Sequence, residues 1–140
     1  MWAGDESPYQ GRHYQLERPL NSPPAMRRPH PPVLIGGGGE KKTLRLVAKY
    51  ADACNLFDSP ELPHKLDVLR EHCEREGRDQ AEIEKTALHA LSADATVDHA
   101  VEAVGRLAGE GIEHVIFSRP TAHQPGAVTM LADVVAQVAQ

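Results

Sequence analysis

Four consecutive glycines lead into charged and hydroxyl side chains, and this segment is the part of the chain best suited to bind a ligand. Residues 35–43 read Ile-Gly-Gly-Gly-Gly-Glu-Lys-Lys-Thr, the end of a predicted strand followed by the start of a predicted helix. Glycine allows positive φ and a close approach of the backbone to a ligand. A helix start adds unpaired N–H groups and the positive end of the helix dipole. We therefore predict a phosphate or other anion here, with further contacts from Lys41, Lys42 and Thr43.

The two well-known phosphate motifs do not match this segment. A P-loop ends in Gly-Lys-Ser/Thr, and Glu40 stands where that glycine should be. The dinucleotide fingerprint Gly-x-Gly-x-x-Gly would need a glycine at Lys42. The alternative is a flexible connection without a ligand, although four glycines cost conformational entropy that packing alone does not require.

Other chemically capable residues give weaker indications. The eight histidines include no His-Glu-x-x-His pattern, so no metal site is predicted, and no Gly-x-Ser-x-Gly elbow is present. Cys54 is expected to be a small core residue. His89 and His114 lie on predicted strands and are expected to be buried with satisfied hydrogen bonds. Asn55 also lies within a strand, so it needs a partner, either a ligand or a neighbouring loop.

The elements that would position these residues alternate between strand and helix. Short apolar segments near 33–36, 53–57, 85–91 and 113–118 predict four strands, and each is followed by apolar residues at helical spacing. Such alternation predicts a parallel sheet, either open and doubly wound or part of a (β/α)₈ barrel. Because a full barrel takes about 250 residues, four units within residues 33–140 correspond to half of one.

The beginning of the chain has a different composition. Seven of the eleven prolines precede residue 33, and proline disfavours both helix and central strand. We therefore expect two parts, an irregular proline-rich arm over residues 1–32 and an α/β part over residues 33–140.

Composition excludes several classes of protein. Lys plus Arg total 15 against 20 Asp plus Glu, a net charge of −5, which argues against a nucleic-acid partner. With 41% hydrophobic residues a core can form, but no apolar segment is long enough to span a membrane. The first residues show no signal-peptide pattern, and two cysteines make no disulfide framework. A cytoplasmic location with free thiols is expected.

One long block resembles a known family. The sequence from Pro31 to Phe57, PPVLIGGGGEKKTLRLVAKYADACNLF, resembles the luciferase-like monooxygenases, and in particular their F-420-dependent oxidoreductase branch. Shorter stretches resemble the same branch: Met1-Trp2, Gly11-Arg12-His13-Tyr14, His64-Lys65-Leu66, Val68-Leu69, His72-Cys73 and Gly77-Arg78-Asp79.

The resemblance implies a fold and a cofactor site. Family members are (β/α)₈ barrels of about twice this length, so this chain would be the C-terminal half, with residues 33–36 as the fifth strand and the arm as the insertion before it. In the family the cofactor phosphate lies against the turn after that strand. The implied cofactor-binding residues are Gly37, Gly38, Gly39, Glu40, Lys41 and Thr43, and we add Asn55 as a candidate from its place within a strand.

The implied function is that of an oxidoreductase or monooxygenase that uses coenzyme F-420, or alternatively FMN, on a small organic substrate by hydride transfer or oxygen activation. Its catalytic residues would lie in the other half, so this chain alone is expected to bind the phosphate weakly and to turn over nothing; Gly38→Val should weaken that binding, because valine resists positive φ. A half barrel has open edges and an unfilled interior, so we expect a partner half, self-association or marginal stability. The alternative is a non-catalytic doubly wound module that binds a phosphorylated small molecule.

Overall fold

The computed structural model describes residues 2–139, which divide into two compact units, residues 2–32 and 33–139. The first unit contains two short strands, β1 (Tyr9–Gln10) and β2 (Gln15–Leu16), which pair antiparallel. The rest of its described residues form turns, bends and irregular chain. Met1, part of the Met1-Trp2 resemblance, lies outside the described residues.

The second unit contains four strands that alternate with four helices. The bounds agree with the predicted strands to within one or two residues. Gly77, with φ 68°, follows the second helix as its C-cap. The elements are β3 (Leu34–Gly36), α1 (Thr43–Tyr50), β4 (Ala53–Phe57), α2 (Leu62–Glu76), β5 (Glu84–Ala90), α3 (Val97–Gly109), β6 (His114–Ser118) and α4 (Pro125–Val138).

The four strands form one parallel sheet in the order β3-β4-β5-β6. The parallel pairing confirms the prediction. The strand order follows the chain order without reversal, whereas a doubly wound sheet reverses its order and carries helices on both faces. The arrangement is that of consecutive units of a (β/α)₈ barrel, and the doubly wound alternative is not the fold found.

One face of the sheet packs against the helices, and we call it the covered face. Its strand residues include Cys54, Leu56 and Ala87, which join apolar residues of α1, α2 and α3 in the main core. Phe117 packs in a second cluster with residues of α3 and α4. Leucines of three helices are fully buried against this face: Leu44, Leu62, Leu69 and Leu107. The core is therefore built from aliphatic residues on one side of the sheet.

The opposite face, which we call the uncovered face, has no helix of the described residues packed against it. Side chains alternate between faces along a strand, and the register aligns Phe57 with Leu88 and Leu88 with Ile116 across this face. Phe57 is 64% exposed and Leu34 53%. His114 lies on the same face with its side chain 60% exposed. The expected burial of His114 is wrong, because no helix within residues 2–139 packs over the sheet at this position.

The two cysteines are free and buried in the core. Burial raises the pKa of both thiols, because it penalises the thiolate form. The expectation for Cys54 as a core residue is confirmed. None of the helices in residues 2–139 has the length and apolar character needed to cross a bilayer.

Candidate functional site

The glycine turn, which we define as residues 36–42, lies at the C-terminal end of β3 and leads into α1. Its one residue with positive φ is Gly37, at 116°, and its N–H donates to the carbonyl of Asn55 at 3.0 Å. This backbone conformation strongly favours glycine. The strain expected for Gly38→Val therefore belongs to position 37. At Gly38 a Cβ would lie 3.7 Å from Cε of Lys65, which is ordinary contact.

The turn offers a series of unpaired donors. The carbonyl of Gly39 accepts from the N–H of Leu44 at 3.0 Å. Within residues 2–139, no group accepts a hydrogen bond from the N–H of Gly38, Gly39, Glu40 or Lys41. Successive free N–H groups at the start of a helix are the arrangement that binds phosphate in many proteins.

Thr43 stands directly beside these donors. A Cβ built on Gly39 would lie 2.8 Å from the Thr43 hydroxyl oxygen, so only glycine fits there without a shift. The Thr43 hydroxyl makes no hydrogen bond to any of residues 2–139. The Thr43 side chain thus packs directly against Gly39, and its free hydroxyl lies at the edge of the turn. Hydroxyl and backbone N–H groups are the donors that phosphate oxygens accept from.

The charged residues of the turn differ from one another. Lys41 and Lys42 are exposed, and neither forms an ion pair with an acidic group among the described residues. The carboxylate of Glu40 instead contacts α2: its Oε1 accepts from Nζ of Lys65 at 2.6 Å. This hydrogen bond, together with the lysine charge, lowers the pKa of Glu40.

Asn55 faces the uncovered side of the sheet, opposite Gly36 in the register. Its Oδ1 lies 2.8 Å from the hydroxyl oxygen of Thr86 on β5, which also lies 2.9 Å from the carbonyl of Cys54. The protein partner of Asn55 is thus a neighbouring strand, not the loop that we considered. The side-chain nitrogen of Asn55 has no partner among residues 2–139. It remains a donor available beside the turn.

A second polar cluster, which the sequence did not indicate, follows β4. The Asp58 side chain is 10% exposed, and its Oδ2 lies 2.5 Å from both Nδ1 of His89 and Nη2 of Arg106. Burial opposes ionisation of this carboxyl, but the hydrogen bonds and charges of Arg106 and His89 outweigh it and lower its pKa. The cluster joins the β4–α2 loop to β5 and α3. His89 is therefore satisfied, as expected, with Asp58 as its partner, but its side chain is 23% exposed and is only partly buried.

The described part of the chain does not bring metal ligands together. No group of three or more His, Cys, Asp or Glu within residues 2–139 is placed to hold a metal ion.

Comparison with known proteins identifies a family that covers nearly all of the chain. The family model described as luciferase-like monooxygenase matches residues 1–136.

Solved structures resemble the chain in fold. An F-420-dependent secondary alcohol dehydrogenase, in complex with an F-420–acetone adduct, superimposes with a TM-score of 0.76 at 14% identity, over 98% of this chain and 57% of that one. A riboflavin lyase with modified FMN and riboflavin gives 0.70 at 9% identity, over 93% and 48%. An F-420-dependent tetrahydromethanopterin reductase from Methanopyrus kandleri gives 0.56 at 18% identity, over 80% and 36%. The chain therefore spans roughly half of the first two structures and about a third of the reductase.

Proposed function

We propose that this chain, which belongs to the luciferase-like monooxygenase family, is the phosphate-binding half of an oxidoreductase or monooxygenase that acts on a small organic substrate. The cofactor we propose is coenzyme F-420, with FMN as the alternative. Two of the similar structures are described as F-420-dependent and a third contains modified FMN. The bound deazaflavin or flavin ring would supply the hydride transfer or the oxygen activation.

The observation that carries this proposal is the row of free donors at the end of β3. The N–H groups from Gly38 to Lys41 and the hydroxyl of Thr43 have no partner in the described chain. Active sites of (β/α)₈ barrels lie at the C-terminal ends of the strands, which is where this turn stands. Lys41 adds an exposed positive charge. The role of these residues is to bind and orient the phosphate end of the cofactor.

The uncovered face supports the proposal that two halves of a barrel form the complete site. Asn55 opens onto it next to the turn, and Phe57 and Leu88 offer an apolar surface beyond it. A ring held there by this chain alone would keep one side in water. Hydride transfer depends on alignment within about 1 Å, so we propose that the other half of a complete barrel closes the pocket and supplies the acid–base groups.

The test is a binding titration of this chain with F-420, with FMN and with riboflavin, which is FMN without its phosphate. We expect weak binding in which FMN exceeds riboflavin by about tenfold, since charge-assisted hydrogen bonds contribute roughly 1.5–3 kcal/mol. Gly38→Val should remove that difference, because the added side chain occupies the approach to the donors. Gly105→Ala in α3, where a Cβ meets nothing within 4 Å, is the matched control and should leave it intact.

Equal affinity for FMN and riboflavin would place the phosphate elsewhere. Turnover by this chain alone would contradict the two-halves proposal. If a full-length relative bound neither F-420 nor FMN while this chain bound inorganic phosphate and sugar phosphates equally well, the non-catalytic phosphate-binding alternative would replace the oxidoreductase.

A further inference from the structure

The residue Glu40 connects the glycine turn to α2 through three contacts. Its carboxylate Oε1 lies 2.6 Å from Nζ of Lys65 and 3.3 Å from Nε2 of His64. Its backbone carbonyl lies 2.8 Å from Nε2 of His72. These partners stand 24, 25 and 32 residues further along the chain, so the contacts are tertiary and fix the turn against a separate helix.

Lys65 is the central residue of this arrangement. Its side chain is 19% exposed, and it also reaches Glu61 Oε2 at 3.3 Å. The Lys65 stem passes beside the turn, because a Cβ on Gly38 would lie 3.7 Å from its Cε. A hydrogen bond of 2.6 Å between two ionised groups is the short, strong kind. The pKa of Lys65 is raised, first by this hydrogen bond from the Glu40 carboxylate.

His72 also contacts the glycine turn, from a position on α2 two helical turns after Lys65. A carbonyl oxygen cannot donate, so His72 Nε2 must carry the proton that bonds to the Glu40 carbonyl. Nδ1 of the same ring faces Nη1 of Arg75 at 3.4 Å, and a guanidinium can only donate. Nε2 of His72 is therefore the donor to the Glu40 carbonyl, and Nδ1 faces the Arg75 donor on the same helix.

We propose that Lys65 is a positioning residue which, through Glu40, holds the glycine turn in the conformation that leaves its N–H groups free for an anion. Glu40 is then an anchor of the turn and not a contact of the phosphate, whose negative charge its carboxylate would repel. Without the Lys65–Glu40 contact, a segment of four glycines has many accessible conformations. The part of this inference that concerns the cofactor rests on the proposed function.

The ordering of the turn can be measured without any ligand. We expect NMR order parameters for the amides of residues 37–41 near 0.8 in the wild-type chain, and about 0.6 or below in Lys65→Met and in Glu40→Gln. The double variant should match the single ones, because each removes the same contact. Arg70→Met is the control, since Arg70 lies on the same helix and, within residues 2–139, its one ion pair is with the exposed Asp67 at 2.9 Å.

The second measurement is the ratio of FMN affinity to riboflavin affinity. If the competent fraction of the turn falls to about a tenth, this ratio falls up to tenfold in Lys65→Met, and Lys65→Arg should restore part of it. Unchanged order parameters in Lys65→Met, or effects that add in the double variant, overturn the positioning role. An FMN-to-riboflavin ratio of one in the wild-type chain overturns the proposed function instead, and the order parameters still decide the role of Lys65.

Discussion

The two faces of the parallel sheet in the second unit differ sharply in burial. Leu56 and Phe57 are neighbours in β4, yet Leu56 is 2% exposed on the covered face and Phe57 is 64% exposed on the uncovered face. Both are large and apolar, so composition does not separate them. The difference lies in the helices, which all pack on one side. An apolar surface left open in this way is typical of an interface or of a ligand-binding surface.

The contrast fits a sheet that curves into a barrel. In a closed (β/α)₈ barrel the helices form the outer ring and the inner side chains fill the centre. The uncovered face corresponds to that inner side. The strands β3 and β6 are the two open edges of the sheet, and in a closed barrel each would pair with a strand of the other half. Stability of this chain alone must therefore come almost entirely from the covered face.

The largest expected effect is on the free energy of unfolding, and it comes from replacing the two neighbours Leu56 and Phe57 in turn. Leu56→Ala should lower the free energy of unfolding by about 2–5 kcal/mol, because it removes buried contacts and leaves a cavity. Phe57→Ala should change it by no more than about 0.5 kcal/mol, because its ring is already in water. Urea unfolding of the two variants and the wild-type chain measures both changes.

The Leu56→Ala and Phe57→Ala variants also show whether the chain associates through its uncovered face. If the chain associates through its uncovered face, Phe57→Ala becomes costly at high protein concentration and nearly neutral at low concentration. Sedimentation at both concentrations is the matching observation. A large cost for Phe57→Ala in a chain that sediments as a monomer would show that something within the chain covers this face.

The second prediction compares two charge clusters, that of Asp58 on the covered side of the sheet and that of Glu84 with His114 on the uncovered side. Asp58→Asn should cost about 1.5–3 kcal/mol, because Arg106 and His89 lose an ionised acceptor whose side chain is 10% exposed. Glu84→Gln breaks the contact of Glu84 with His114, whose side chains are 50% and 60% exposed. That change should cost at most about 1 kcal/mol.

The pH dependence separates these clusters further. The pKa of Asp58 is lower in the folded chain than its ordinary value. Its contribution to stability is therefore fully present above the ordinary aspartate pKa and is lost as the pH falls through the folded value. Asp58→Asn should flatten this part of the stability profile between mildly and strongly acidic pH. A profile of the same slope in both chains would mean that Asp58 is not the titrating group.

Sequence alone predicted the elements but not which face would be open. The strands were found because short apolar segments end at glycine, proline or polar residues, as at residues 33–36 and 53–57. In parallel strands both faces are often apolar, so alternation gives no signal that Phe57 is exposed while Leu56 is buried. His114 was assigned wrongly for this reason. The face could be assigned only from the packing of the helices.

The candidate site also has one part that the local sequence predicts and one part that depends on residues far apart in the sequence. The glycine turn is local, and its sequence was enough to predict free backbone donors. The contacts of Glu40 with Lys65 and of Asn55 with Thr86 join residues 25 and 31 positions apart. No spacing rule connects such pairs. The one available signal was that Lys65 and His72 are seven residues apart, which places them on one face of a helix.

The smallest expected effect tests whether the uncovered face is uniformly open. Thr86 lies on that face, aligned with Asn55, yet it is 2% exposed. Its hydroxyl has one proton and two neighbouring oxygens, the Cys54 carbonyl and Asn55 Oδ1. Thr86→Val keeps the shape and removes the hydroxyl with the one proton it donates, so we expect a loss of about 1 kcal/mol in the free energy of unfolding. Thr86→Ser keeps the hydroxyl and should lose only the contacts of one methyl group.

The side-chain amide of Asn55 provides the more specific readout of the same substitution. In the wild-type chain Thr86 holds Asn55 beside the glycine turn, so its NMR amide resonances should report a fixed side chain. Thr86→Val should broaden or shift them, and Thr86→Ser should not. If the resonances stay the same in Thr86→Val, Asn55 is held by something other than Thr86. If they change and the stability does not, the contact orients Asn55 toward the open face without contributing to the fold.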